Sequence, residues 1–203
     1  MDSITQFQQE KYIVVQNIIG QELVNNLKEY FKMHYEGCMY VNNNNLKFYA
    51  DSLITENAFC WYAPVDFLLV SLQEKVENLT GLYLVPTYSF GRIYFKNAVM
   101  RRHQDRASCE ISMTLNVSVD NTPWPIWVTD IHGNDKEIIL NPGDAMIYRG
   151  KEIPHWRNPY TDGNEQIQFF LHWIDANGKY LSSAFDKRPV LGLPPNELAR
   201  NDP

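Results

Sequence analysis

SCEISMTLNV, residues 108–117, alternates without interruption. Ser108, Glu110, Ser112, Thr114 and Asn116 fall on one side of an extended strand, and Cys109, Ile111, Met113, Leu115 and Val117 on the other. QIQFFLHWI, residues 166–174, does the same: Gln166, Gln168 and His172 share a face with Phe170, opposite Ile167, Phe169, Leu171 and Trp173. A strand with one dry and one polar face belongs to a sheet that packs on its dry side. Its polar side either meets solvent or walls a wet cavity, and both alternatives stand at this point.

Outward from these two segments the texture stays β-rich. YLVPTYSF, GRIYF, PIWVTDI, KEIIL, AMIYRG and IPHWR read as further strands, with NPGD at 141–144 and TDGN at 161–164 as turns. Together they make about the number of strands a jelly roll uses. The front of the chain differs. KYIVVQNII is a β-branched run, after which Leu23, Leu27, Tyr30, Phe31 and His34 recur at helical spacing. A second helix is predicted over 64–79, opened by Pro64, striped by Val65, Leu68, Leu69, Leu72, Val76 and Leu79, and closed by Gly81. Helices first and strands after predict an α+β fold. No repeat or linker divides the 203 residues, so one domain is expected: a strand and helix part over about 11–81, a β core over about 83–176 and a tail over about 177–203.

With 24 acidic against 18 basic residues the net charge is −6, which disfavours a protein that coats nucleic acid or an anionic membrane. No apolar run approaches the ~20 residues a bilayer span needs. Cys38, Cys60 and Cys109 are too few, and odd in number, for a disulfide framework, so they are expected to be reduced and buried. The polar start MDSITQFQQEKY has no secretory h-region, and the expected location is the cytoplasm. Oligomeric state is not encoded in any pattern.

Two of the five histidines precede a carboxylate by two residues, His34 with Glu36 and His103 with Asp105. On a helix these positions diverge, so His34 and Glu36 cannot close on one ion. On an extended segment they face the same way, so His103 and Asp105 can chelate. Two imidazoles and one carboxylate on one face of an octahedron leave three positions open, which suits ferrous iron that must also bind an oxidisable cosubstrate and dioxygen. The best second imidazole is His155, 52 residues on in IPHWR. His132, in the loop DIHGND, reads as solvated. His172, on the polar face of the last strand, either lines the same cavity or acts through another ligand.

In this order YSFGRIYF, RRHQD, SMTLNV, NPGDAMIYRGKEIPHWR and QIQFFLHWID resemble the core of the Fe(II)- and 2-oxoglutarate-dependent dioxygenases, the prolyl-4-hydroxylase-like branch in particular. KYIVVQNIIGQELVNNLKEYF is similar to the strand-then-helix entry of that branch, so the resemblance runs from about 11 to 176. It implies a double-stranded β-helix (jelly roll) with N-terminal helices packed on the major sheet. It also implies iron ligands His103, Asp105 and His155, 2-oxoglutarate and dioxygen as cosubstrates, and ascorbate as an admissible accessory reductant.

The sequence departs from that branch at one point. Where the family carries a basic residue for the distal carboxylate of 2-oxoglutarate, Gln166 stands here, which donates a hydrogen bond but no charge. Arg157, two residues past His155 on a strand, projects to the ligand side and is the expected replacement; the competing reading is a surface salt bridge. Tyr94 and Thr114 match positions that add hydroxyl contacts in the family, and Gln168 and His172 complete the expected cosubstrate contacts. Arg101, Arg102, Arg106, Arg149, Lys151 and Arg157 flank the three ligands in sequence, an expected basic pocket in an acidic chain. Arg106 and the segment Trp124–Trp127 border the expected substrate mouth.

The function implied is hydroxylation of a peptidyl or small amino-acid-like substrate, proline among the candidates, with formation of succinate and carbon dioxide. A metal-dependent cupin-like enzyme that needs no 2-oxoglutarate and a non-catalytic jelly-roll binding module remain open as alternatives. A nucleic-acid demethylase is disfavoured by the net charge. The expected partner is a small molecule or peptide, with no membrane and no nucleic acid.

Overall fold

The computed structural model describes residues 1–43, 52–55, 58–62 and 65–193. Pro64, the side chain of Cys60, part of the Asn42–Asn45 run and the last ten residues with Pro194 and Pro195 lie outside the described residues. In chain order the elements are α1 (Ser3–Glu10), β1 (Tyr12–Val15), α2 (Gln21–Asn43), β2 (Ser52–Thr55), β3 (Ala58–Tyr62), α3 (Asp66–Thr80), β4 (Leu84–Phe95) and β5 (Met100–His103). Then follow β6 (Ile111–Val119), β7 (Ile126–Thr129), β8 (Asp135–Ile138), β9 (Ala145–Arg149), β10 (His155–Arg157) and β11 (Glu165–Asp175).

The strands form two antiparallel sheets: a major one in the order β1-β9-β6-β11-β4-β3-β2 and a minor one in the order β5-β10-β7-β8. This is the jelly-roll architecture with helices on the major sheet. The dry faces of β6 and β11, Ile111, Met113, Leu115, Ile167, Phe169, Leu171 and Trp173, merge with the helix residues Phe31, Leu68, Leu69 and Val76 in one buried cluster. Each such side chain removed from water stabilises the fold by roughly 1.5–3 kcal/mol. The polar faces settle the question left open by the alternation. Ser112, Thr114, Asn116, Gln166, Gln168 and His172 are all buried, so they turn into the space between the sheets and not to solvent.

Several elements differ from expectation. The polar start forms α1, capped by Asp2, whose Oδ1 accepts from Thr5 N at 2.9 Å, and anchored by a fully buried Phe7. The pair β2–β3 extends the major sheet beyond β4, outside the predicted strand set. YLVPTYSF and GRIYF are one strand, because Gly91 does not end it: a Cβ there would sit 2.6 Å from Phe31 Cζ and 2.5 Å from Phe169 Cε1, so the glycine makes room for two packed rings. β6 begins at Ile111 because Ala107–Cys109 forms a 3-10 turn. Gly81 closes α3 in the left-handed region, φ 71°, as its position required.

The segment after β11 returns over the sheet. Arg188 donates from Nη1 to Asp66 Oδ2 at 3.0 Å and from Nη2 to Thr87 O at 2.8 Å, while Gly192 N donates to the same Asp66 oxygen. Ser89 satisfies the other Asp66 oxygen with its N–H and its hydroxyl. Phe185, Asp186 and Lys187 have φ of 51°, 53° and 60°, a run of left-handed backbone in which Asp186 grips Arg106 through both carboxylate oxygens, at 2.7 and 2.9 Å. Among the described residues no helix is long and apolar enough to cross a membrane.

Candidate metal centre and its cavity

β5 and β10 pair with His103 opposite His155, and the two imidazole centroids lie 4.3 Å apart. Asp105 joins them from the loop after β5. The strand ends at His103, so the pleat does not bring the carboxylate in as expected. Two other contacts do: Asp105 N donates to Gly150 O at 2.8 Å, and Ser112 Oγ donates to Asp105 Oδ2 at 2.9 Å. Asp105 Oδ1 is then 3.6 Å from Nε2 of each histidine.

The donor set fits a cation. His103 Nδ1 lies 2.8 Å from Arg101 O and His155 Nδ1 lies 3.0 Å from Ile153 O, and a carbonyl only accepts. Both Nδ1 atoms must therefore carry the proton, which leaves two bare Nε2 lone pairs and a carboxylate oxygen facing one another. Burial pushes the His155 pKa down, against the pull of Asp105, which keeps it in the neutral, ligating form. Tyr148 Oη stands 3.4 Å from His155 Nε2.

A cavity of about 510 Å³ opens at this cluster. Its aromatic wall is Tyr88, Phe90, Tyr94, Tyr148 and Phe170, and its cations are Arg92, Arg101 and Arg106. Among the described residues that line it, Asp105 is the one acid. His172 also lines it, its ring 4.6 Å from Tyr88 and 5.7 Å from Phe90, two rings that lie 6.0 Å apart.

Arg157, Thr114, Gln166 and Gln168 do not line the open cavity and are buried beside it. Arg157 is 1% exposed, which overturns the surface salt-bridge alternative. Its Nη1 donates to Trp124 O, its guanidinium lies 5.1 Å from the Trp124 ring, and its Nε and Nη2 have no hydrogen-bond partner among the described residues. Burial lowers its pKa to about 10, opposed by the phenols of Tyr94, Tyr148 and Tyr160. Tyr94 links this group to the cavity, since it lines the cavity and packs edge-on to Trp124 at 5.0 Å. Gln166 Oε1 accepts from Trp124 N, and Thr114 Oγ1 donates to Gln168 Oε1 at 3.1 Å, leaving Gln168 Nε2 buried without a partner.

Other expected site residues go elsewhere. Of the six flanking cations, Arg101 and Arg106 line the cavity and Arg157 lies beside it. Arg102 bonds Thr129 and stacks on Trp156, Arg149 pairs with Glu152, and Lys151 lies against Tyr180. Trp124 and Trp127 border a separate pocket of about 190 Å³, so they do not form the mouth of the main cavity. His34 is half-buried and its Nε2 meets Cys38 Sγ on α2, a contact outside the sequence reading, whereas His132 is exposed, as read from sequence. Cys38 and Cys109 are buried.

Sequence reasoning passed over Gly150 and Asp186. A Cβ on Gly150 would lie 2.3 Å from Asp105 Oδ2 and 2.3 Å from Cys109 O, so only glycine fits behind the carboxylate. AMIYRG reads as a strand, but a contact 45 residues back along the chain leaves no local pattern. The role of Ser112 was legible, since it lies two residues before Thr114 on the polar face.

Fold and site thus define a double-stranded β-helix whose inner faces hold a facial cluster of two imidazoles and one carboxylate. Solved structures share this fold. A prolyl-4-hydroxylase from Pseudomonas putida is 14% identical with a TM-score of 0.62, covering 87% of this chain and 98% of that one. An oxidoreductase of the 2OG-Fe(II) oxygenase family from Burkholderia pseudomallei is 8% identical with a TM-score of 0.67, over 87% and 90%. HygX from Streptomyces hygroscopicus, solved with nickel, 2-oxoglutarate and hygromycin B bound, is 9% identical with a TM-score of 0.65, over 86% and 87%. No protein-family model and no curated protein sequence matches the chain.

Proposed function

We propose that this protein is an Fe(II)- and 2-oxoglutarate-dependent oxygenase in which His103, Asp105 and His155 hold the metal and Arg157 takes the distal carboxylate of the cosubstrate. The observation that carries the reading is the Arg157 guanidinium, buried beside the three-ligand cluster with Nε and Nη2 unsatisfied. An unpaired buried cation is costly, and a carboxylate with lone pairs for two N–H groups offsets that cost. Gln168 Nε2 is a further partnerless donor beside it, and Tyr94 and Thr114 bring hydroxyls. Gln166 serves by fixing Trp124, whose carbonyl in turn holds Arg157.

Iron bound here would supply the chemistry by which one dioxygen oxidises 2-oxoglutarate to succinate and carbon dioxide and hydroxylates a substrate C–H bond, one oxygen atom going to succinate and the other to the substrate. The chain's own part is to hold and orient. The carbonyls of Arg101 and Ile153 fix both imidazole tautomers, Ser112 and Gly150 aim the carboxylate, and the aromatic side chains wall the cavity onto which the cluster opens. A small molecule or a peptidyl amino acid side chain, proline included, is the substrate class the cavity volume admits. The HygX structure with hygromycin B supports a small molecule. The buried cysteines Cys38 and Cys109 fit a reducing compartment, and we assign the protein to the cytoplasm.

Anaerobic titration with Fe(II) and then 2-oxoglutarate tests the reading, through the visible charge-transfer band of the chelate. Arg157→Ala is expected to raise the Kd for 2-oxoglutarate about a hundredfold, as loss of a buried charge-assisted pair would. Gln166→Ala should raise it by less than tenfold. Bound iron without the band removes the oxygenase reading, and an unchanged Kd in Arg157→Ala removes the arginine.

A further inference from the structure

We propose that His172, which lines the cavity, is locked as its Nδ1–H tautomer with a buried Nε2 left as a bare hydrogen-bond acceptor, so that the substrate must bring an O–H or N–H donor to it. The lock is Ser112. Its Oγ lies 2.9 Å from Asp105 Oδ2, 3.0 Å from Cys109 O and 3.0 Å from His172 Nδ1. A hydroxyl has one proton, and the carboxylate and the carbonyl can only accept. If Nδ1 were also bare, three acceptors would compete for that proton and the serine lone pairs would face the imidazole lone pair. With the proton on Nδ1, His172 donates to Ser112 and Ser112 donates onward to the Asp105 side.

The opposite edge of the ring is then unprotonated. Burial lowers the His172 pKa to about 4, so the ring is neutral near pH 7. Among the described residues Nε2 has no hydrogen-bond partner although His172 is only 3% exposed, and an unmet buried acceptor is destabilising. The cosubstrate cannot satisfy it, because 2-oxoglutarate ionised at both carboxyls has no donor. This reassigns His172 from the cosubstrate contacts expected from sequence to the substrate. The ring lies in an aromatic cluster in which Tyr88, Phe90 and His172 contact one another and Phe90 stacks on Phe170 at 4.4 Å and 14°. The ligand class is therefore a compound with a flat or C–H-rich face to lie on these rings and an alcohol, phenol or amine to reach Nε2.

The source of that ligand rests on the oxygenase reading, but the test needs neither metal nor turnover, so the two can fail separately. The full chain labelled with ¹⁵N-histidine is followed at pH 7 by two-bond proton–nitrogen correlation, with the His172 signals assigned by their loss in His172→Gln and in His172→Phe. The expected spectrum has a protonated Nδ1 and a bare Nε2. Phenol, a ring with one O–H, and anisole, its methyl ether, are then titrated. Phenol should move the Nε2 resonance saturably toward the protonated side and bind about tenfold or more tighter than anisole, the effect of leaving one buried acceptor unpaired. A protonated Nε2 in the free protein, equal binding of the two probes, or an Nε2 unmoved by phenol overturns the proposal.

Discussion

Replacing Gly150 by alanine adds one methyl group directly behind the proposed carboxylate ligand. The Cβ would lie 2.3 Å from Asp105 Oδ2, 2.9 Å from Asp105 Cβ and 2.3 Å from Cys109 O, where ordinary contact begins at 3.4 Å. The φ of Gly150 is not in the left-handed region, so the obstacle is space and not backbone strain. Opening the gap by about 1 Å must shift either the Asp105 side chain or the backbone that carries it, because Asp105 N is tied to Gly150 O and Gly150 N to Glu110 O. A metal site tolerates about 0.2 Å in its ligand distances, so the displaced carboxylate should cost at least roughly 10–100-fold in metal affinity. Overpacking should lower stability by about 1–3 kcal/mol as well. Anaerobic calorimetry with Fe(II), beside a urea melt of the metal-free protein, separates the two effects. Gly37→Ala is the control, since nothing lies within 4 Å of its Cβ and it sits on the exposed side of α2, where alanine should add roughly 0.5–1 kcal/mol. A folded Gly150→Ala protein that binds Fe(II) within threefold of wild type refutes the reasoning.

Other outcomes follow from the same geometry. His103→Ala and Asp105→Ala should each abolish succinate formation by the loaded protein while His34→Ala retains it, and activity in either of the first two removes that residue from the ligand set. Gly91→Ala should lose about 1–3 kcal/mol in urea denaturation, because its methyl group must displace the rings of Phe31 or Phe169; an unchanged midpoint shows that the rings move freely. Burial alone would raise the Asp186 pKa, but the hydrogen bonds and charge of Arg106 outweigh it and hold the carboxyl below its ordinary 3.8. A carboxylate depressed in the folded state stabilises above its unfolded pKa, and that contribution disappears as pH falls through the folded one. Asp186→Asn should therefore cost about 3 kcal/mol near neutral pH, with the difference from wild type shrinking only below about pH 4. A difference that is flat from pH 7 to 2.5 by urea melts contradicts the ion-pair account.

How much of this was legible depends on whether the signal is periodic or a matter of contact across the fold. The faces of β6 and β11 could be read directly, because alternation is a property of neighbouring residues, and so could the reach of Arg157 to the side of His155. That the polar faces are buried could not, since a solvent-facing and a cavity-facing strand carry the same pattern. α1 escaped because Phe7 is its one buried apolar residue, too few to mark a stripe. Gly91, Gly150 and Asp186 matter through partners far away in sequence: Phe31, Asp105 and Arg106 respectively. Asp105 was assigned to the right neighbourhood for an incomplete reason. The i, i+2 argument needs a continuous strand, and here a carbonyl and a serine from other elements do the aiming.

The pairing of Asp66 with Arg188 also sets a clock. The two residues are 122 apart, and at roughly 5–20 residues per second a ribosome needs about 6–24 s to add that stretch. Throughout that interval the carboxylate at the start of α3 has no counter-charge, and Arg106 still lacks Asp186. The helix layer and the ligand loop can come together earlier only in a loose form. Anchoring of the ligand loop thus waits for a segment made 80 residues after Arg106, and a nascent chain from which Arg188 has not yet emerged holds all three proposed ligands without the Arg106–Asp186 and Asp66–Arg188 pairs.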